Sequence, residues 1–149
     1  MKKFKFNLQP LLDHKEMLEE LARKDYMEIA DKLRKEEERL KVYVDLYRRF
    51  SENLDTMKRD GMEVSELRFQ YRYIDSIKEF IESQKKLIAE LKKTAEEKRA
   101  ELTRASINKK VVEKAKERKK EEYDREVKRQ EQKIMDEVAV SGFVRRKGE

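Results

Sequence analysis

Apolar residues recur along the first part of this chain at alternating intervals of four and three. From residue 22 the series runs Ala22, Tyr26, Ile29, Leu33, Glu36, Leu40, Tyr43, Tyr47, Phe50, Leu54, Met57, with Glu36 as the polar interruption. Sustained over heptad after heptad, that spacing holds one stripe to a single side of a helix and predicts a coiled-coil seam. Nearer the start, Leu11, Leu18 and Ala22 fit a shifted register, which predicts a stutter between Leu18 and Tyr26.

The second half mirrors the first. Positions whose numbers sum to about 124 are apolar on both sides: Met57 with Leu67, Phe50 with Ile74, Tyr47 with Ile77, Tyr43 with Ile81, Leu33 with Leu91, Ala22 with Leu102, Leu12 with Val112. Two helices folded back along one seam produce such a match. The expected fold is all-α, a long two-helix antiparallel coiled-coil hairpin forming a single domain over residues 1–149. Helix 1 is expected at about 10–60, the turn at 61–65, helix 2 at about 66–140 and a flexible tail at 141–149. No Gly or Pro interrupts the second helix before Gly142, so it spans roughly 110 Å against ~75 Å for the first, at ~1.5 Å per residue. Its part beyond Lys116 finds no counterpart in the first helix and is expected to project as an overhang.

The ends carry their own signals. Residues 1–7 alternate Lys and Phe and read as extended, and Pro10 suits the first turn of a helix. Gly61 suits the left-handed position past a helix end, with Met62 set to pack on Met57 and with Lys58 and Arg59 complementing the negative helix end. Ser65 reads as the next cap, with Val64 and Phe69 at hydrophobic-staple spacing.

Composition narrows the class. Charged residues are 48% of the chain, with three Gly and one Pro, too polar for a core closed on all sides. The helical period separates it from a disordered chain of similar charge. With no Cys there is no disulfide framework and no thiol chemistry. No apolar run approaches the ~20 residues that span a bilayer, and the opening Met-Lys-Lys-Phe-Lys-Phe-Asn lacks a signal-peptide core. A cytosolic protein without direct membrane insertion is expected. The net charge of +6 is small beside 39 basic and 33 acidic residues. Acids interspersed among the bases argue against nucleic acid.

Catalytic chemistry finds no support. There is no glycine-rich phosphate loop, no metal-ligand spacing and no nucleophile motif. His14 is the single histidine, and the carboxylates alternate with lysines and arginines as on a solvated helix face. No enzyme activity, cofactor or metal is expected.

Two features exceed what a bare coil needs. Beside a seam of Leu67, Tyr71, Ile74 and Ile81 runs a second apolar line, Phe69, Tyr73, Ile77 and Phe80, and the first helix offers Val42 and Leu46 beside its own seam. A two-stranded coil buries a narrow stripe, so part of this surface is expected to face a different protein, the alternative being that it packs on a second copy or thickens the coil locally. The overhang is the other. Residues 109–133 hold eleven basic and seven acidic side chains, yet a thin stripe of Tyr123, Val127, Ile134 and Val138 runs on through and past them.

The opening Phe4-Lys-Phe-Asn-Leu8-Gln-Pro-Leu11-Leu12, the stretch Glu37-Glu-Arg-Leu-Lys-Val-Tyr43, Asn53-Leu54, Gly61 and the closing Lys133-Ile-Met-Asp136-Glu137 resemble the flagellar FliJ family, small coiled-coil proteins of the flagellar type III export apparatus. The resemblance implies a coil similar to the central shaft of rotary ATPases. It implies association with the hexameric export ATPase, whose ring assembly such proteins promote, and with the cytoplasmic domain of the membrane export gate. Export chaperones are further implied partners, and the implied location is cytoplasmic, peripheral at the inner membrane. The resemblance places gate contacts on Tyr73, Ile77, Phe80 and Gln84, to which Val42 and Leu46 add surface. Gln84 departs from the histidine that some relatives carry. The stripe of Tyr123, Val127, Ile134 and Val138 would then enter the ATPase ring. The alternatives are an adaptor capturing substrates or escort chaperones, and the equivalent stalk of a virulence-type secretion ATPase.

Overall fold

A computed structural model describes residues 2–148. Two helices account for nearly all of it, α1 at Gln9–Asp60 and α2 at Val64–Lys147, packed against each other, with no strand among the described residues. The all-α hairpin with a longer second helix is therefore the observed fold. No helix among the described residues is long and apolar enough to cross a membrane. The chain divides into two compact units, one of Leu21–Thr103 and one of Met1–Glu20 with Arg104–Glu149.

In the hairpin unit, Leu21–Thr103, the buried positions of α2 are Ile74, Ile77, Ile81, Gln84, Ile88 and Leu91, a regular succession of threes and fours. Opposite them α1 places Tyr26, Ile29, Leu33, Glu36, Leu40, Tyr43, Tyr47, Phe50 and Leu54, half-buried or buried. The seam on α2 differs from the one expected. Tyr71 lies outside it and is exposed, whereas Ile77 and Gln84 lie inside. The reason is the period: a step of three or four from Ile74 reaches Ile77 and Ile81, then Gln84.

The turn is shorter than the expected 61–65. Gly61 adopts φ +88°, the left-handed conformation that its sequence position requires. Residues 61–63 alone are non-helical, and Leu67 N–H donates to Glu63 C=O at 3.0 Å, which makes Glu63, and not Ser65, the cap residue. Val64 and Phe69 are both exposed and form no staple, while Met62 and Leu67, in the corresponding positions around Glu63, are half-buried. Met57 is exposed as well. Lys58 crosses the turn instead, its ammonium hydrogen-bonded to the Tyr71 hydroxyl and 4.4 Å from the ring centre.

In the terminal unit the core is Phe6, Leu12 and Val112, flanked by Phe4 and Ala115. Leu11 and Leu18 are exposed, while Glu19 is buried at 5% exposure and takes the place the expected stutter gave to leucine. Along α1 the steps Leu12, Lys15, Glu19, Ala22 continue the heptad without interruption. A charged side chain at a seam position disguised the register. The expected flexible tail is also helical as far as Lys147: Gly142 lies within the helix, Arg145, Arg146 and Lys147 complement its end, and Gly148 N–H closes the last turn on Val144 C=O at 3.1 Å. Glu149, the last residue of that tail, and Met1 lie outside the described residues.

Candidate interaction surfaces

The residues assigned to the gate fall into two kinds. Ile77 is 4% exposed and Gln84 is 8% exposed, so neither offers a surface. The Gln84 amide donates to the Glu36 backbone carbonyl at 3.0 Å and also to the Glu36 carboxylate. Glu36 was the polar interruption of the first helix, and Gln84 is its partner across the seam. Buried polar groups cost least when they satisfy each other, which is why the two occur at one level.

The remaining gate candidates form a real outer surface. Phe80 is 58% exposed and stacks on Tyr43 with ring centres 5.8 Å apart and planes at 14°. Tyr73 leans on Phe50 at 4.8 Å and 58°, Val42 is exposed and Leu46 is half-buried; Phe69, outside the gate set but on the same apolar line, is exposed as well. Phe69, Tyr73 and Phe80 follow one another at helical intervals of four and seven and so share a face of α2. One edge of Tyr73 and of Phe80 is held by an inner aromatic, which fixes the rotamer, and the outer edge stays wet. Rigid half-wet aromatics of this kind suit a docking surface.

In the terminal unit the stripe assigned to the ATPase ring also divides. Tyr123 and Val127 are half-buried, whereas Ile134 and Val138 are exposed. Tyr123 is occupied by the N-terminal arm: its hydroxyl donates to the Lys2 carbonyl, and its ring lies 5.6 Å from that of Phe4. The overhang therefore starts beyond Tyr123, later than the Lys116 expected from helix pairing, because an extended segment takes over where α1 ends. From residue 131 to residue 147 every residue of α2 is exposed. Besides Ile134 and Val138 this stretch carries Met135, Val140, Phe143 and Val144, the last two lying past the expected helix end near residue 140.

Ion pairs within the terminal unit set the level of α1 on α2. Lys109 donates to Glu19 at 3.0 Å and approaches Glu113 at 3.7 Å, and Lys116 donates to the Gln9 side chain at 2.7 Å. The hydrogen bond to Glu19 holds the Lys109 ammonium above its ordinary pKa. Sequence reading missed this pair, since neither residue belongs to the apolar series and the two lie a helical turn out of the mirrored register, their numbers summing to 128. No group of acids and histidines able to hold a metal ion occurs among the described residues.

Known proteins can now be compared with this geometry. A solved structure described as a homolog of YscO, CT670 from Chlamydia trachomatis, matches at 22% identity with a TM-score of 0.42, over 92% of this chain and 93% of that one. No curated protein matches the sequence. The family description for the flagellar FliJ protein matches residues 4–148, nearly the whole chain, and this protein therefore belongs to the FliJ family.

Proposed function

We propose that this chain is a non-enzymatic stalk of the flagellar export apparatus, which binds the hexameric export ATPase, promotes its ring assembly and couples it to the membrane export gate. Family membership supports a role in flagellar protein export. The observation that carries the ATPase half is the bare end of α2: residues 131–147 are helical, exposed on all sides and studded with Ile134, Met135, Val138, Val140, Phe143 and Val144. A lone helix with apolar residues around its circumference gains most from a sleeve that surrounds it, and a ring offers one. The gate half rests on the Val42, Phe69, Tyr73 and Phe80 surface, with Ile77 and Gln84 acting inside the seam. The proposed location is cytoplasmic, peripheral at the membrane through the apparatus.

Sedimentation of the export ATPase with the full chain, and with a chain ending at Gln130, tests the first half. The full chain is expected to shift the ATPase to hexamer and the shortened one is not; equal shifts would sink the ring assignment. For the gate, Tyr73→Ala combined with Phe80→Ala should abolish capture by the gate's cytoplasmic domain, and undiminished capture removes that surface from consideration.

The exposed Phe69 and Phe80 also favour a second reading, an adaptor for escort chaperones. Recovery of chaperones without ATPase in a pulldown would select it. Neighbouring genes would separate a flagellar stalk from a virulence-type one.

A further inference from the structure

The N-terminal arm and α2 enclose a groove of about 760 Å³, lined by Lys2, Lys3, Lys5, Lys119, the rings of Phe4, Phe6 and Tyr123, and Leu8 with Asn7. Four of these side chains are lysines and none is acidic. Among the described residues Lys2, Lys3 and Lys5 have no carboxylate partner, whereas Lys119 lies 3.5 Å from Glu122 and Lys120 lies 3.2 Å from Asp124. Lys120 is also spent on the rings of Phe4 and Tyr123, at 5.2 and 5.1 Å. The arm thus presents three uncompensated positive charges over an apolar floor of Phe4, Leu8 and Tyr123.

We propose that this groove is a docking site for an acidic peptide segment carrying an apolar anchor. Phe6 is buried against Leu12 and Val112, so the arm is pinned and the groove is formed before any ligand arrives. Charge complementarity selects the peptide: carboxylates meet Lys2, Lys3 and Lys5 while a leucine or phenylalanine covers the floor. A continuous phosphate backbone fits poorly, because Glu117, Glu121, Glu122, Asp124 and Glu126 alternate with the lysines of α2 beside the groove. The proposal stands apart from the export role, since nothing in it requires the ATPase or the gate.

The test uses the full chain and a fluorescein-labelled synthetic peptide with a central Leu-Phe-Leu flanked by pairs of Glu. Anisotropy at low salt is expected to give a dissociation constant in the micromolar range, weakening about tenfold as screening grows towards physiological ionic strength. Lys2→Gln, Lys3→Gln and Lys5→Gln combined should weaken binding at least about tenfold, one charge-assisted contact being worth roughly that factor. These three lysines are exposed and outside the core, and unchanged circular dichroism would certify the fold. Replacing Glu by Gln in the peptide, or its Leu-Phe-Leu by Ala, should weaken binding equally. Amide shifts on peptide addition should concentrate at residues 2–8 and 119–123. No binding, equal binding by the triple variant or the Gln peptide, or shifts elsewhere would overturn the assignment. So would preferential binding of a single-stranded oligonucleotide, or a dimer of this chain that the triple variant dissolves.

Discussion

Replacing Ile77 by alanine tells whether this side chain holds the hairpin together or faces a partner. At 4% exposure it has lost nearly all its water, and the change removes three buried carbons at about 0.8 kcal/mol each. A cavity contribution adds to this, though in a two-helix seam the neighbours can settle inward from the solvent side. The expected loss is about 2–3 kcal/mol, the lower part of the range for such truncations. Phe80→Ala is the control from the same stretch of α2. More than half of that ring is in water already, and what it loses is mainly the stack on Tyr43, worth about 0.5–1.5 kcal/mol. Urea unfolding followed by far-UV circular dichroism measures both. With a denaturant slope near 2 kcal/mol/M, Ile77→Ala should lower the midpoint by about 1–1.5 M and Phe80→Ala by about 0.25–0.75 M. An Ile77→Ala midpoint indistinguishable from wild type, or a larger loss from Phe80→Ala, would refute the placement of Ile77 in the seam.

Other outcomes follow from the turn, the arm and the Glu19 pair. Gly61→Ala meets no atom within 4 Å, so its cost is backbone alone, about 1–2 kcal/mol for a left-handed residue, and Gly61→Asn should recover part of it in the same urea assay. Phe6→Ala empties the anchor of the arm; a loss of about 3 kcal/mol and faster tryptic cleavage after Lys2, Lys3 and Lys5 are expected, and unchanged cleavage would show that Phe6 does not pin the arm. Lys109 is held above its ordinary pKa by Glu19, so the stability it contributes is complete below that ordinary value and disappears as pH rises through the elevated one. Unfolding curves of wild type and Glu19→Gln should therefore converge as pH climbs past the ordinary lysine range; a gap independent of alkaline pH would deny the link. Asp31, hydrogen-bonded to Lys35 and Arg34, is depressed, so its contribution should be whole above the usual aspartate range and fade as acid carries pH through the lowered value, which Asp31→Asn would abolish.

Much of the fold was legible because apolar spacing and backbone conformation are local properties. Tyr43, Tyr47, Phe50 and Leu54 announce their seam by period, and Gly61 announces its turn because few other residues tolerate positive φ. The mirrored positions gave the level of one helix on the other to within a residue: Tyr43 stacks on Phe80 where Ile81 was expected, and Phe50 leans on Tyr73 where Ile74 was expected. The register errors share one origin. Glu19 and Gln84 are polar at seam positions, and a hydrophobicity pattern passes over such residues unless a long apolar series brackets them, as it does Glu36. Hence the expected stutter between Leu18 and Tyr26 and the seam drawn through Tyr71; the gate role for Gln84 came instead from the family resemblance.

The chain by itself determined that there are two helices, where they reverse and that the second outlasts the first, since these follow from period, propensity and one glycine. Tertiary structure alone decided which polar side chains go inside, because their cost depends on a partner distant in sequence: Gln84 is accommodated opposite Glu36, and Lys109 helps to compensate Glu19. It decided the start of the overhang for the same reason. Nothing local tells an extended Lys-Phe-Lys-Phe segment to fold back; Phe6 adds to the contact of Leu12 with Val112, and Phe4 covers Tyr123, where α2 has run past the first turn of α1 and would otherwise stay in water.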